Sequence, residues 1–360
     1  MRLRDLGVVP GRLPAGAYNA ITDVPGVRVG HITLIDGDGP LVPGQGPIRT
    51  GVTAVLPHGG NLFLDKVAAA VYTINGFGKV IGFDQVQERG WLETPILLTN
   101  TLNVGRAADA LVGYMLRDNP DIGVTTSTVN PVVGECNDGF LNDIQGRHVQ
   151  EIHVWDAIAG AKSGPVPEGS VGAGTGTACN QFKGGIGTAS RRVLAGEFTV
   201  GALVQTNFGR RADLMVLGAP VGERMLQEQM PRALPGSIMI TLATDAPLTQ
   251  RQLERLARRA IFGLARTGAY SQDQSGDFVI AFSTTNRAAH RPDVIVELVE
   301  RLAERARYLD EFFLAAAESV EEAIINAMLA AETMTGRDGN TLYALQADHL
   351  LHWLHHFNRI

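Results

Sequence analysis

The stretch LPGSIMITLATD, residues 234–245, joins a turn signal to a short and strongly apolar run. Pro235 and Gly236 interrupt regular structure, since both residue types favour turns. The run 237–243 has the length of a strand, and its continuous apolar character is typical of a strand buried on both faces. The sequence therefore predicts that Ser237 begins a strand that lies inside the fold.

Short strands and amphipathic helices alternate on both sides of this stretch. Strands are predicted over residues 27–34, 51–56, 198–205 and 278–283, helices over 102–116, 249–268, 293–307 and 319–332, and a long glycine-rich loop region over 160–191. Thr249 with Gln252, and Ser319 with Glu322, have the capping-box spacing that marks a helix start. The chain has neither a repeat nor a linker-like change in composition, so we expect one α/β domain over residues 1–360.

The composition excludes several classes of protein. Glycine accounts for 42 of the 360 residues, well above the usual share of about 7 %. Charged residues make up 19 % and apolar residues 45 %, whereas a disordered chain is rich in charge and poor in apolar residues. The glycines have no three-residue period, which excludes collagen. Their excess indicates tight turns, close packing or loops around a ligand.

Charge and targeting signals point to a cytoplasmic protein without nucleic-acid or membrane partners. The formal net charge is −6 and no basic run occurs, which argues against binding to a phosphate backbone. No apolar window is long enough for a membrane helix, and the start MRLRD lacks the apolar region of a signal peptide. In this setting Cys136 and Cys179 are expected to be free thiols.

The glycine-rich segment GSVGAGTGTAC, residues 169–179, invites comparison with nucleotide-binding loops. It has neither the G-x-G-x-x-G fingerprint nor the Gly-Lys-Ser/Thr of a P-loop. We therefore interpret it as a tight packing loop, or as a loop whose small residues let a substrate approach the main chain. No nucleotide cofactor is predicted.

Other candidate motifs also fail. His349, His352 and His356 share a helical face and could bind a metal, but no acidic residue completes a known spacing, so an ordinary helix is favoured and no metal site is predicted. The segment 58–60, HGG, resembles a lipase oxyanion loop, yet the chain lacks the G-x-S-x-G elbow of an α/β-hydrolase. Cys136 has no convincing histidine partner, which favours a packed thiol over a nucleophile.

The bond between Gly236 and Ser237 has two interpretations. It is either a junction between a loop and a strand or a scissile bond, because a serine hydroxyl can attack the carbonyl that precedes it. Cleavage would leave Ser237 with a free α-amine, whose reference pKa of about 7.7–8.0 suits a general base near neutral pH. The residues by themselves favour the simple junction.

A family resemblance shifts this balance. The matching segments are NAITDVPGVRVGH (19–31), NGFGK (75–79), ETPILLTNT (93–101), PVVGECNDGFLNDI (131–144), GSVGAGTGTACNQFKGGIGTASR (169–191), VGALVQTNFG (200–209), PGSIMITLATDAPL (235–248), SGDFVIAFSTTNR (275–287) and AMLAAETMTGRDG (327–339). In these segments the chain resembles the L-aminopeptidase/D-esterase–D-amidase family, which includes the β-peptidyl aminopeptidases. The resemblance implies an αββα sandwich similar to the ornithine acetyltransferases, and self-cleavage before a serine or threonine.

The resemblance also implies a cleavage site and a nucleophile. The bond would be Gly236–Ser237, which divides the chain into an α-chain of residues 1–236 and a β-chain of residues 237–360. Ser237 matches the family nucleophile, and Asn207 matches an asparagine that helps to hold the oxyanion. A donor of this kind acts on charge that develops only in the transition state.

Three further positions take roles from the resemblance. Ser275 and Asp277 match a hydroxyl–acid pair beside the nucleophile, although some members have glutamate where this chain has Asp277. Glu135 matches an acid that meets the free amine of the substrate, which would explain aminopeptidase action. Some members also place a tyrosine at the site, but the local segment here has none and no tyrosine is assigned.

The resulting hypothesis is a self-processing serine aminopeptidase that hydrolyses small peptides, amides or esters through an acyl-enzyme on Ser237. It needs no metal or cofactor, since the base and the oxyanion donors are protein groups. The resemblance also implies a homo-oligomer. Two alternatives stay open: an acyltransferase of the ornithine acetyltransferase type, and a ligand-binding protein on the same fold. The motifs leave open the choice between α- and β-amino acids and between L and D forms.

Overall fold

The fold is known from a computed structural model that describes residues 1–231 and 236–360. Leu234 and Pro235, the sequence signal for a turn, lie outside the described residues. The strands are β1 (Arg28–Asp36), β2 (Ile48–Leu56), β3 (Asp65–Gly76), β4 (Trp91–Leu92), β5 (Ile96–Asn100), β6 (Val132–Cys136), β7 (Ala178–Cys179), β8 (Phe182–Lys183), β9 (Ile186–Val193), β10 (Phe198–Asn207), β11 (Ser237–Thr244), β12 (Gly276–Ala289), β13 (Met334–Thr335) and β14 (Thr341–Leu342). The helices are α1 (Phe83–Arg89), α2 (Val104–Asp118), α3 (Glu151–Ala159), α4 (Val221–Arg224), α5 (Gln250–Ala257), α6 (Ala260–Arg266), α7 (Leu309–Leu329) and α8 (Ala347–His356).

Two sheets dominate the fold. The larger sheet has the strand order β4-β3-β12-β11-β10-β9, and the smaller has the order β1-β2-β5-β6. Strand β11 is a central strand that pairs antiparallel with β10 and parallel with β12. All eight of its residues are buried. The prediction of a strand covered on both faces is therefore confirmed.

The two faces of β11 belong to different hydrophobic cores. Ile238 and Ile240 lie in a core with residues of α5, α6 and α7, which cover the outer face of the larger sheet. Met239 and Ala243 lie in a second core together with residues of the smaller sheet such as Ile96. A third core joins the smaller sheet to α2 and α3. These layers form the αββα sandwich that the family resemblance implies.

The predicted helix over 293–307 is wrong. The structure has no helix in these residues, and neighbouring groups bind the backbone there instead. The N–H of Leu302 donates to the carbonyl of Pro247, and the amide of Gln252 donates to the carbonyl of Leu302 at 2.8 Å. Leu302 is buried, whereas the apolar residues just before it are exposed. The apolar spacing is helical, but the apolar side chains Val294, Ile295, Val296, Leu298 and Val299 are not buried against the described parts of the chain.

Two other boundaries also differ from the predictions. Helix α7 begins at Leu309, so Ser319 and Glu322 are buried in its interior and do not cap it. The region 160–191, predicted as a loop, contains β7, β8 and part of β9. In contrast, the capping box of Thr249 and Gln252 is present, and the predicted helix is split into α5 and α6.

Candidate active site

The site residues meet where β10 ends and where β11 and β12 begin. In the strand register Ser237 lies opposite Asn207 of β10 and opposite Gly276 of β12. Asp277 is the next residue along β12, and Ser275 directly precedes the strand. The sheet topology therefore brings together four of the residues that the resemblance implicates.

The start of β12 contacts the Gly236–Ser237 bond through Gly276 and the preceding Ser275. The N–H of Gly276 donates to the carbonyl oxygen of Gly236 at 3.2 Å, which fixes and polarises the carbonyl that Ser237 would attack. A Cβ at residue 236 would lie 2.7 Å from the Oγ of Ser275, closer than such contacts occur in proteins. Only glycine therefore fits here without a shift of Ser275.

Ser275 and Asp277 form a hydrogen-bonded pair beside this bond. The Oγ of Ser275 donates to Oδ1 of Asp277 at 2.6 Å. Burial raises the pKa of Asp277, while the hydroxyls of Ser275 and Ser271 and the N–H of Ile238 act in the opposite direction. Because the Ser275 proton points to the carboxyl, the lone pairs of its oxygen are left to accept a proton from another group.

Asn207 is oriented by the glycine-rich segment. The N–H of Ala178 donates to Oδ1 of Asn207 at 3.0 Å. Only the amide oxygen can accept this bond, so the Nδ2 group is the donor end of the side chain and is directed away from Ala178.

Glu135 lies at the end of β6, on the opposite sheet. Its Oε1 accepts a bond from the N–H of Lys79 at 3.0 Å, and its Oε2 accepts a bond from the hydroxyl of Thr101. Burial raises the pKa of Glu135, against the effect of these two donors and of the Lys79 charge. Gly78, the residue before Lys79, lies against Gly276 at the start of β12. Through Lys79, Glu135 is therefore linked to the β12 side of the site.

Cys136 packs between the two sheets, as predicted for a thiol without a catalytic partner. Its Sγ donates to the carbonyl of Gln205 at 3.2 Å. Burial raises the pKa of this thiol well above its usual value, and the nearby hydroxyl of Ser237 acts in the opposite direction. Both cysteines are free and buried.

Comparison with known proteins identifies the family. The sequence profile described as "Peptidase family S58" matches residues 19–342. This chain belongs to peptidase family S58.

Relatives of the S58 chain share nearly its whole length. The β-peptidyl aminopeptidase BapA of Sphingosinicella microcystinivorans is 45% identical over 361 residues, covering 96% of this chain and 89% of that protein. The crystal structure of the PH0078 protein from Pyrococcus horikoshii OT3 matches with a TM-score of 0.95 and 51% identity, covering 100% of both chains. An L-aminopeptidase D-Ala-esterase/amidase from Ochrobactrum anthropi matches with a TM-score of 0.91 and 41% identity over 99% of both chains. The S58 chain is an aminopeptidase, and that last structure is described as a variant of the Ntn hydrolase fold.

Two contacts at the S58 site were not found from the sequence. The main-chain N–H of Gly276 has no signature in residue type. Thr101 ends the family-like stretch ETPILLTNT, so a side-chain hydroxyl one residue beyond β5 was the available signal.

Possible metal ligands and membrane-spanning helices were also sought in the described residues. Within residues 1–231 and 236–360, no three His, Cys, Asp or Glu side chains come together as a metal site. The histidines of α8 lie on an exposed part of the helix, where His349 contacts Glu228 at 2.9 Å. No helix in the described parts of the chain has the length and apolar character to cross a membrane.

Proposed function

We propose that the aminopeptidase processes itself at Gly236–Ser237 and then uses Ser237 as its nucleophile. The observation that carries the proposal is the contact of the Gly276 N–H with the Gly236 carbonyl, at the start of the strand that bears Ser237. A donor on a carbonyl next to a serine hydroxyl is the arrangement that acyl transfer needs. The S58 match favours this hydrolase over the acyltransferase alternative.

Self-processing would proceed in two steps, an acyl shift from nitrogen to oxygen and the hydrolysis of the resulting ester. The Oγ of Ser237 attacks the Gly236 carbonyl carbon, the C–N bond breaks, and the hydroxyl proton passes to the released nitrogen. The resulting ester between Gly236 and Ser237 is then hydrolysed by water. The products are a carboxylate at Gly236 and a free α-amine on Ser237.

Substrate hydrolysis repeats this chemistry on an external carbonyl. Ser237 Oγ attacks the carbonyl after the first residue of a small peptide, amide or ester, and the α-amine of Ser237 or the hydroxyl of Ser275 takes the proton. Asp277 supports Ser275 through their 2.6 Å bond. The amide of Asn207 and main-chain N–H groups stabilise the oxyanion, and water releases the acyl group from Ser237.

Glu135 would select substrates with a free N-terminal amine. A buried carboxylate attracts an ammonium group more strongly than an exposed one, because the local dielectric is low. Two relatives are named β-peptidyl aminopeptidases and a third an L-aminopeptidase D-Ala-esterase/amidase. We therefore propose small substrates that include peptides beginning with a β-amino acid.

The setting of the enzyme is also part of the proposal. A cytoplasmic location without nucleic-acid or membrane partners agrees with the net charge of −6. A homo-oligomer is supported by a run of exposed apolar side chains, Val294, Ile295, Val296, Leu298 and Val299, each more than half exposed. Size-exclusion chromatography with light scattering tests the oligomer, and a monomeric wild type would contradict it.

Intact mass and a denaturing gel test the central claim. Purified wild type should give two fragments split at Gly236–Ser237, and Ser237→Ala should stay uncut and inactive. Ser283→Ala is the matched control, since Ser283 is buried further along β12, where its hydroxyl binds Ala246. A wild type that stays uncut, or a Ser237→Ala variant that is cut, contradicts the proposal.

A further inference from the structure

Lys183 is a buried charged residue that the proposed mechanism does not use. Its side chain is fully buried at the end of β8. The Nζ donates to the carbonyl oxygens of Gly174, Thr177 and Gly184 at 3.0, 3.0 and 2.7 Å. An ammonium group has three donors, and each has a partner here. Burial of a charge is costly, so a lysine held in this way indicates a specific purpose.

One of these carbonyls leads directly to the active site. The carbonyl of Thr177 and the N–H of Ala178 belong to the same peptide group. That N–H donates to Oδ1 of Asn207 at 3.0 Å. Lys183 is also the antiparallel partner of Ala178 in the β7–β8 pair. An unbroken series of hydrogen bonds therefore runs from the ammonium group of Lys183 to the amide of Asn207.

We propose that Lys183 is a positioning residue for the oxyanion donor: its ammonium group holds and polarises the Thr177–Ala178 peptide group, which in turn orients the amide of Asn207 at Ser237. The inference rests on the proposed function, in which Asn207 donates to the oxyanion. Lys183 does not touch the substrate and acts through two intervening groups.

The direction of the dipoles supports this role. The positive charge of Lys183 faces the oxygen of the peptide group, and the N–H at the other end of that group faces Oδ1 of Asn207. The Nδ2 group of Asn207 then presents the positive end of the last dipole. Hydrogen bonds in series polarise one another in a low dielectric, by about 10–30% per bond. The series is therefore arranged to strengthen the final donor as negative charge develops.

The surroundings of Lys183 favour the charged form only in part. Burial lowers the pKa of Lys183 to about 7, and the carboxylate of Asp138 acts in the opposite direction. Asp138 is itself buried and accepts bonds from Thr50, Asn100 and Asn142. The hydrogen bonds of the Asp138 carboxylate thus come from neutral side chains. The direct partners of the Lys183 ammonium group are the three carbonyl oxygens.

A double-mutant cycle tests the proposal. Wild type, Lys183→Met, Asn207→Asp and the double variant are assayed with the p-nitroanilides of L-alanine and β-alanine. Rates are expressed per active Ser237, counted by mass after labelling with phenylmethanesulfonyl fluoride. We expect Lys183→Met to lower kcat about 100-fold with KM unchanged. In the Asn207→Asp background, the same substitution should cause no further loss, because the group through which Lys183 acts is already gone.

Matched variants separate positioning from folding. Lys66→Met is the control, since Lys66 also binds a carbonyl and a carboxylate, those of Phe63 and Glu93, away from the site. It should lower stability but leave kcat unchanged. If Lys183→Met does not fold, Lys183→Gln keeps two N–H donors without the charge, and it should lower kcat partially with the same dependence on Asn207.

Several results would overturn the inference. Losses that multiply in the double variant, or a Lys183 variant with wild-type kcat, would exclude the hydrogen-bond series and leave the proposed function intact. An Asn207→Asp variant with wild-type kcat would show that Asn207 is not the oxyanion donor. It would contradict both the oxyanion role of Asn207 and the positioning role of Lys183. An active Ser237→Ala variant would instead contradict the proposed function at its nucleophile.

Discussion

Two buried polar clusters lie at opposite ends of β10 and differ in how their charges are compensated. At one end Arg191, opposite Val200, pairs with Glu318 at 3.0 Å and with Glu322 at 2.7 Å. At the other end, opposite Asn207, lies Ser237. The first cluster joins α7 to the sheet, and the second contains the proposed chemistry.

The carboxyl groups show the difference most clearly. Burial alone would raise the pKa of Glu322, but bonds and charges from Arg4 and Arg191 outweigh it and leave the pKa lowered. Burial raises the pKa values of Glu135 and Asp277, and the hydroxyl and main-chain N–H donors that face them, together with the Lys79 charge near Glu135, do not outweigh it. One cluster is arranged for stability, and the other keeps groups that can still exchange protons.

Among variants that keep Ser237, the largest expected effect is the loss of activity in Ser275→Ala. Removal of a proton-transfer group should lower kcat about 10²–10⁴-fold, whereas stability should fall by only about 1 kcal/mol for one hydrogen bond. Ser190→Ala is the control, because Ser190 binds Asp23 near the other end of the sheet. Initial-rate assays measure kcat, and thermal unfolding measures stability. Equal kcat losses in the two variants would remove the distinction between the clusters.

Arg191→Met should have the reverse profile. It removes the guanidinium that pairs with the buried carboxylates of Glu318 and Glu322, and of these two only Glu322 keeps an arginine partner among the described residues, Arg4. Breaking a buried pair of this kind costs about 3–5 kcal/mol in the free energy of unfolding. The kcat of the folded enzyme should be unchanged. Arg266→Met breaks a partly exposed pair with Glu321 and should cost at most about 1 kcal/mol. Urea unfolding gives the numbers, and a loss of kcat in Arg191→Met would contradict the separation.

Gly236→Ala should slow self-processing about 100-fold, because the added Cβ forces Ser275 out of place. Gly105→Ala is the control, since a Cβ at Gly105 meets nothing within 4 Å. The appearance of the two fragments on a denaturing gel, followed over time, measures the rate. Wild-type processing in Gly236→Ala would show that the Ser275 position is adjustable.

Glu135→Gln should raise KM for substrates with a free amine by about 10- to 100-fold, which corresponds to the loss of about 1.5–3 kcal/mol from a charged hydrogen bond. N-acetylated substrates should be poor for both enzymes and should show no such change. A wild-type preference for the free amine in Glu135→Gln would remove Glu135 from substrate binding.

The smallest effects are in the pH dependence of stability, and they have opposite signs. The pKa of Asp277 is raised above 3.8, so the folded state binds the proton more tightly, and stability should rise as pH falls from neutral towards 3.8. The pKa of Glu322 is lowered from 4.5, so its contribution is present above 4.5 and is lost as pH falls through the lowered value. Urea unfolding of wild type, Asp277→Asn and Glu322→Gln across this range measures both slopes. Slopes of the same sign would contradict the comparison.

The sequence predicts the layers of this fold better than its helix boundaries. The strand at Ser237 follows from a continuous apolar run, and the start of α5 follows from a capping box. The residues 293–307 have an equally clear helical pattern, but helix formation there depends on a surface to pack against. Ser319 and Glu322 have capping spacing for a different reason, because Glu322 serves Arg191 inside the fold.

The site was predictable to the extent that it consists of side chains. Ser237, Asn207, Ser275, Asp277 and Glu135 follow from the family resemblance, and the register of β10, β11 and β12 explains the meeting of four of them. The Gly276 N–H and the Thr177–Ala178 peptide group are main-chain donors and acceptors. Every residue type except proline offers such donors, so no sequence pattern marks them.

The position of β11 and β12 within the larger sheet has a consequence for the cut protein. Residues 237–360 supply β11 and β12, and these lie between β10 and β3, both from residues 1–236. A cut at Gly236–Ser237 therefore leaves two interleaved chains rather than two separable domains. Unfolding of the uncut chain is unimolecular, whereas refolding of the cut enzyme requires two chains to meet, so its midpoint should rise with protein concentration. At low concentration the cut enzyme would therefore unfold without refolding, whereas the uncut chain would still refold.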